Sequence, residues 1–156
     1  MAYIDPWQDP QGIGFQIIQS LLAVGSGGLW GLGLGASRQK YFYLPQQFTD
    51  FIFAILCEEL GFIGGVGVAF LFILFAIRGF KIALGTANYF YYLLAVGITF
   101  WITMQALTNI MVVIGLIPTT GIPLPFISFG GTATIINLFA VGILLNISTK
   151  SQVDQV

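Results

Sequence analysis

A single carboxylate, Asp50, ends the polar run Leu44-Pro45-Gln46-Gln47-Phe48-Thr49 and is followed at once by the apolar stretch FIFAILCEELGFIGGVGVAFLFILFAI. It is the only acid between Asp9 and Glu58. Where a loop meets the mouth of an apolar segment, such a group can take a proton from a lipid-borne substrate or hold a hard cation against it. The same residue types also suit a helix start. Oxygens of Thr49 and Asp50 can accept from the first-turn N–H groups, and negative charge suits the positive end of the helix dipole. Spacing alone favours the cap, and both readings stay open at this point.

Twelve residues upstream, Ser37-Arg38-Gln39-Lys40 is the only paired basic group before the long apolar stretches, and Tyr41, Phe42 and Tyr43 follow it. Aromatic residues of this kind favour the level of the lipid headgroups. Arg38 and Lys40 then either touch headgroups, the commoner fate of such residues, or clamp a lipid pyrophosphate beside Asp50. Arg offers a planar fork for two oxygens and Lys a mobile point charge. Glu58 and Glu59 lie about two turns into the apolar stretch. An ionised carboxylate at membrane depth costs roughly 2.5–3.5 kcal/mol on insertion scales, so both must face protein, water or a cavity. At about 100° per residue Glu58 lies about 80° from Asp50 and Glu59 about 180°, which makes Glu58 the better candidate for the same cleft. Gln105 and Asn109, at i and i+4, read as amides that hydrogen-bond across helices.

The elements that must position these residues follow from composition. Hydrophobic residues make up 57% of the chain and charged residues 7%, against about a quarter in soluble domains. No charge occurs between Ile82 and Thr149, a run too long for one span of roughly 20 residues. The fold class is therefore an all-α integral membrane protein. Three transmembrane helices are expected, at about Phe51–Ile77, Tyr89–Ile117 and Phe126–Ile147, divided by Pro118, Gly121, Pro123 and Pro125. Gly61, Gly64, Gly65 and Gly67 offer a small-residue face for close helix contact. A large outer-face loop precedes the spans. It holds a short amphipathic helix over Phe15–Val24, with Phe15, Ile18 and Leu22 on one face, then a glycine-rich loop from Gly25 to Gly35. Arg78, Lys81 and Lys150 place the 78–88 loop and the tail in the cytoplasm and residues 117–125 outside. The organisation expected is an extracytoplasmic loop region over 1–50, a three-span membrane region over 51–150 and a cytoplasmic tail over 151–156. A net charge of −1 gives no field for nucleic acid, and one cysteine without histidine gives neither a disulfide nor a zinc site.

An ordered series of motifs runs the length of the chain. It comprises Asp5-Pro6-Trp7-x-Asp9-Pro10, Gln16-x-x-Gln19-Ser20, Gly25-Ser26-Gly27-Gly28, Ser37-Arg38-Gln39-Lys40, Thr49-Asp50-Phe51-Ile52-Phe53-Ala54 and Glu58-Glu59-Leu60-Gly61. It closes with Pro118-x-x-Gly121-Ile122-Pro123-Leu124-Pro125-Phe126-Ile127-Ser128-x-Gly130-Gly131. Together these resemble the SEDS family, the shape, sedimentation, division and sporulation proteins that include FtsW, RodA and SpoVE, and within it the division branch. The resemblance implies a ten-span enzyme that polymerises peptidoglycan from lipid II, of which this chain matches the last large outer loop and the final three spans. It implies Asp50 as the catalytic acid group, or as a ligand of a divalent cation (Mg or Mn). Arg38, Lys40, Thr49, Glu58 and Ser128 follow as substrate-binding residues. Two departures stand out: Pro45-Gln46-Gln47-Phe48-Thr49-Asp50 where the family commonly has Pro-Glu-x-His-Thr-Asp, and Ser128-Phe129-Gly130 where it has Ser-Tyr-Gly.

The partners so implied are lipid II, the undecaprenyl-pyrophosphate-linked glycan, a class B penicillin-binding transpeptidase and other divisome proteins. The location implied is the bacterial inner membrane, with a peptidoglycan-retaining plastid as the alternative. Two rival functions fit a polar cleft among apolar helices: a lipid II flippase, or a non-catalytic division scaffold that recruits a transpeptidase. Three spans do not enclose a cavity for two lipids, so activity is expected to need the spans that precede them in the family.

Overall fold

The computed structural model describes residues 13–33, 35 and 50–153. Among these, four helices follow in order: α1 (Ile13–Ser26), α2 (Ile52–Leu84), α3 (Tyr89–Val113) and α4 (Gly131–Val153). The last three are each long and apolar enough to cross a membrane. Their outward faces carry large apolar side chains such as Leu71, Phe100, Trp101, Phe139 and Leu145, all more than half exposed. Lipid or further helices can cover such surfaces at little cost, whereas water cannot.

The first span is not one straight helix. Gly61 sits at φ 72° and ψ −171°, in a region open only to glycine, and breaks α2 there. A side chain built on Gly65 would come 2.7 Å from Cys57 Sγ and 3.6 Å from Phe53 Cζ. In a straight helix the eight residues from Cys57 to Gly65 would span about 12 Å, so residues 52–60 turn back across the start of the next segment. Phe62–Leu84, at about 1.5 Å per residue, is some 34 Å long and can cross a bilayer without them. The glycines expected to form a flat packing face thus divide their work, with Gly61 making the break and Gly65 admitting the returning segment. Further along, Gly79 lets α3 approach closely enough that any side chain there would collide with Thr99.

α3 starts at the expected Tyr89, but it stops, and α4 starts, at residues that sequence periodicity did not mark. α3 begins at the N-cap Asn88, whose side chain accepts from Phe90 N–H at 2.9 Å. It ends at Val113, four residues short of the expected Ile117. Gly115 at φ 74° turns the chain, and Leu116 N–H reaches Met111 O at 2.8 Å while Gly115 N–H reaches Val112 O at 3.0 Å. That pair of bonds closes a helix around a left-handed glycine. α4 begins at Gly131, five residues later than expected, because Leu124–Ser128 closes into a turn: Ser128 N–H donates to Leu124 O at 3.0 Å and Ser128 Oγ accepts from Leu124 N–H at 2.7 Å.

α1 packs against α2 and α3. Its buried stripe is Ile17, Ile18, Ser20 and Ala23, while Leu22, expected on the apolar face, is about half exposed. The reason is Ser20, whose hydroxyl donates at 2.7 Å to Val113 O, a carbonyl that the end of α3 leaves without a helical partner. Two apolar clusters hold the ends of the bundle. One joins Ala23, Phe51, Phe53, Ala54 and Cys57 to Ala106, Val112, Val113 and Leu124. The other joins Ala83 and Ala95 to Leu144 and Ile147.

Candidate functional site

Asp50 stands just before α2 and is half-buried. The helix N-cap is Phe51, and no side chain caps it; Phe51 O takes the first bonds, from Ala54 and Ile55 N–H. The capping use that spacing favoured for Asp50 is therefore not the one observed. Among the described residues no hydrogen bond engages its carboxylate. Its backbone is held: Asn109 Nδ2, in the last turns of α3, donates to Asp50 O at 2.8 Å and to Ile122 O at 2.8 Å. One turn back, Gln105 Nε2 donates to Pro123 O at 3.1 Å, and Gln105 Oε1 accepts from Trp101 Nε1 at 3.3 Å. The amides expected to bridge helices instead tie the loop Gly121–Pro125 and the start of α2 to α3.

This loop brings Gly121 to the carboxylate. A Cβ at Gly121 would lie 3.7 Å from Asp50 Oδ2, so glycine leaves that edge of the acid open. Gly121 takes φ 70°, and Phe126 takes φ 66°, the one left-handed non-glycine among the described residues. Leu124 and Pro125 are buried beneath. Ser128, 7% exposed, shapes this turn through its hydroxyl.

Glu58 is 1% exposed and lies about 12 Å along the helix from Asp50, beyond direct contact. It belongs to a second feature, the plug of the α2 break. Leu32 and Gly33 N–H donate to Glu58 O and Glu59 O at 3.0 and 3.1 Å, while Phe62 N–H donates to Gly28 O at 2.8 Å. The glycine-rich loop thus satisfies backbone groups that the break at Gly61 releases, as buried amides require. Glu59 Oε1 is buried with no hydrogen-bond partner among the described residues. Arg38, Lys40 and Thr49 lie outside the described residues.

The site thus joins three elements at one end of the bundle: a carboxylate clear of capping, a loop fixed against it and an open glycine edge. Such a carboxylate can accept a proton or ligate a hard cation. Among the described residues no three acidic, histidine or cysteine side chains cluster as a metal site. A single carboxylate still fits Mg²⁺, which keeps several waters and is commonly bound by one or two carboxylates together with substrate phosphates. Asn109 is the residue whose function sequence reasoning did not reach. Its spacing with Gln105 signalled a shared polar face, and only the fold shows that Asp50 O and the 122–123 carbonyls are what that face meets.

A family model for cell cycle proteins of the FtsW, RodA and SpoVE type matches residues 1–153. The chain is 58% identical over 151 residues to stage V sporulation protein E of Bacillus subtilis (strain 168), covering 97% of this chain and 41% of that protein. It is 52% identical over 149 residues to the probable peptidoglycan glycosyltransferase FtsW of Geobacter sp. (strain M18), covering 96% of this chain and 41% of that one. A solved structure described as the structural coordination of polymerization and crosslinking by a peptidoglycan synthase complex matches with a TM-score of 0.74 and 27% identity, over 96% of this chain and 40% of that one. The chain therefore spans about two-fifths of the length of these relatives.

Proposed function

The chain belongs to the FtsW, RodA and SpoVE family of cell cycle proteins, and on that membership we propose that it forms the outer-face catalytic part of a peptidoglycan glycosyltransferase. One observation carries the reading. The Asp50 carboxylate, which resemblance marks as the catalytic group, is not used as a helix cap, and its backbone is fixed to the Gly121–Pro125 loop through Asn109.

In the reaction proposed, the 4-hydroxyl of an incoming lipid II attacks the anomeric carbon of the growing strand. The new C–O bond forms as the bond to the undecaprenyl pyrophosphate breaks, and the electron pair leaves with the pyrophosphate. Asp50 takes the hydroxyl proton, work commonly worth about a hundred- to ten-thousand-fold in rate. Arg38 and Lys40 take up the negative charge of the leaving group, and Thr49 lines the substrate site. Ser128 supports it through the Leu124–Ser128 turn, while Glu58, buried at the α2 break, acts at most through the packing of that segment. In the alternative use of Asp50, the carboxylate would instead hold a divalent cation, Mg or Mn, which would supply charge neutralisation at the pyrophosphate.

The location proposed is the bacterial inner membrane, with residues 1–50 and 117–125 outside and the 151–156 tail in the cytoplasm. The matched relatives are bacterial, which favours this over a plastid membrane. The partners proposed are a class B penicillin-binding transpeptidase and other division proteins; the solved relative, described as coupling polymerization to crosslinking, supports such a pairing.

The test is lipid II polymerisation by a full-length protein carrying Asp50→Asn or Asp50→Ala. Both are expected to lose activity by about a hundredfold or more. Because Phe51 is the N-cap, both are also expected to keep their thermal stability in detergent close to that of the parent. Polymer formed at a near-normal rate by Asp50→Asn would remove Asp50 from catalysis. A full-length parent that binds lipid II yet forms no polymer would favour a transporter or scaffold.

A further inference from the structure

We propose that Asn109 is a positioning residue for the reaction, a two-way clamp that sets where the Asp50 carboxylate stands relative to the outer loop. The inference rests on the polymerase reading given above. Asn109 is 1% exposed, and its Nδ2 makes both 2.8 Å bonds, to Asp50 O and to Ile122 O, across 59 and 13 residues of sequence. Both acceptors are carbonyls, so the amide has one orientation only: turned over, its oxygen would face two oxygens. Its own Oδ1 is then buried with no partner among the described residues. A buried acceptor left unpaired is unfavourable, so the fold tolerates a penalty in order to keep the donor aimed at these two carbonyls.

The two carbonyls belong to the two segments that flank the carboxylate. Asp50 O fixes the residue that carries it, and Ile122 O fixes the residue after Gly121, the glycine that faces Oδ2. A single amide therefore sets the distance between the acid and the loop edge where a substrate hydroxyl must enter. Gln105, on Pro123 O, steadies the same loop but has no bond to Asp50. Misplacing a reacting group by about 1 Å can cost a hundredfold in rate without weakening substrate binding. Asn109 touches no reacting atom, and its effect passes through the backbone of Asp50.

Two measurements on the full-length protein test this. The first reads geometry without activity: in a background with Cys57 and every other native cysteine of the full-length protein replaced, Asp50→Cys and Gly121→Cys are introduced together and disulfide closure is timed in detergent, with Asn109 or with Asn109→Leu. Closure is expected to slow at least tenfold, on the order of the mobility a lost two-way clamp allows. The second is lipid II polymerisation with native Asp50, where Asn109→Leu is expected to lower kcat about ten- to a hundredfold and leave KM within about twofold. Asn109→Ser, smaller and able to give one hydrogen bond, replaces Leu if that variant does not fold, and the same signs are expected at smaller size. Unchanged closure, or a fall in kcat matched by an equal loss of folded protein, would overturn the clamp. The two readings fail differently. An active Asp50→Asn overturns the role of Asp50 and the rate effect with it, whereas an inactive Asp50→Asn beside a fully active Asn109→Leu overturns the clamp alone.

Discussion

A carboxylate before an apolar helix has two uses, and at Asp50 geometry separates them, because the helix takes its first bonds on Phe51 O and asks nothing of the acid. Sequence could place the acid at the helix mouth but could not give the one-residue offset that frees it. A parallel choice holds at Arg38 and Lys40, where headgroup contact and pyrophosphate binding use the same charges. A headgroup contact is one of many along a membrane surface, while a pyrophosphate clamp acts on one leaving group. Replacing both with Gln in the full-length protein is therefore expected to slow lipid II polymerisation at least tenfold with membrane insertion normal, since charge-assisted bonds to phosphate are about twice as strong as neutral ones. An unchanged rate in the double variant would leave these residues as headgroup anchors.

At the scale of elements, Gly61 and the loop Gly27–Gly33 form a unit that neither sequence stretch announces. Hydropathy showed one apolar run and several glycines; it could not show that one of those glycines breaks the helix and that the loop, distant in sequence, fills the gap. The fit is close on both sides. A side chain on Gly61 would strike the backbone of Leu29 and Gly31, and one on Gly31 would strike Glu59. Gly61→Ala is accordingly expected to destabilise by about 2 kcal/mol or more, the strain of a glycine-only conformation being about 1–3 kcal/mol before any collision. Faster hydrogen exchange at the Leu32 and Gly33 amides should accompany it. Gly67 provides the control, since nothing lies within 4 Å of its would-be Cβ. Gly67→Ala should be neutral or stabilising by up to about 1 kcal/mol. Equal effects at both positions, measured by thermal unfolding in detergent, would mean that the plug adds nothing.

At the scale of the molecule, the number of spans was legible because apolar length is a direct demand of the bilayer. Their ends were not, because Gly115 and the Leu124–Ser128 turn act through backbone conformation and leave no trace in hydropathy. Orientation rests on charge. Lys81 stands in the last turn of α2 and Lys150 in the last turn of α4, and Lys150 also sits 5.2 Å above the Tyr91 ring near the start of α3. These three ends lie together, opposite Asp50 and the Gly121–Pro125 loop. If positive charge stays inside, the site faces outward, the side on which the proposed polymerisation would take place. Ala87, on the α2–α3 connection, and Thr120, beside the site, are both exposed, while the native Cys57 is buried. In intact cells, Thr120→Cys in the full-length protein should react with an impermeant thiol reagent. Ala87→Cys should react only after permeabilisation. The opposite pattern would turn the molecule over, placing Asp50 on the cytoplasmic side and leaving it unable to act on a glycan strand outside the membrane.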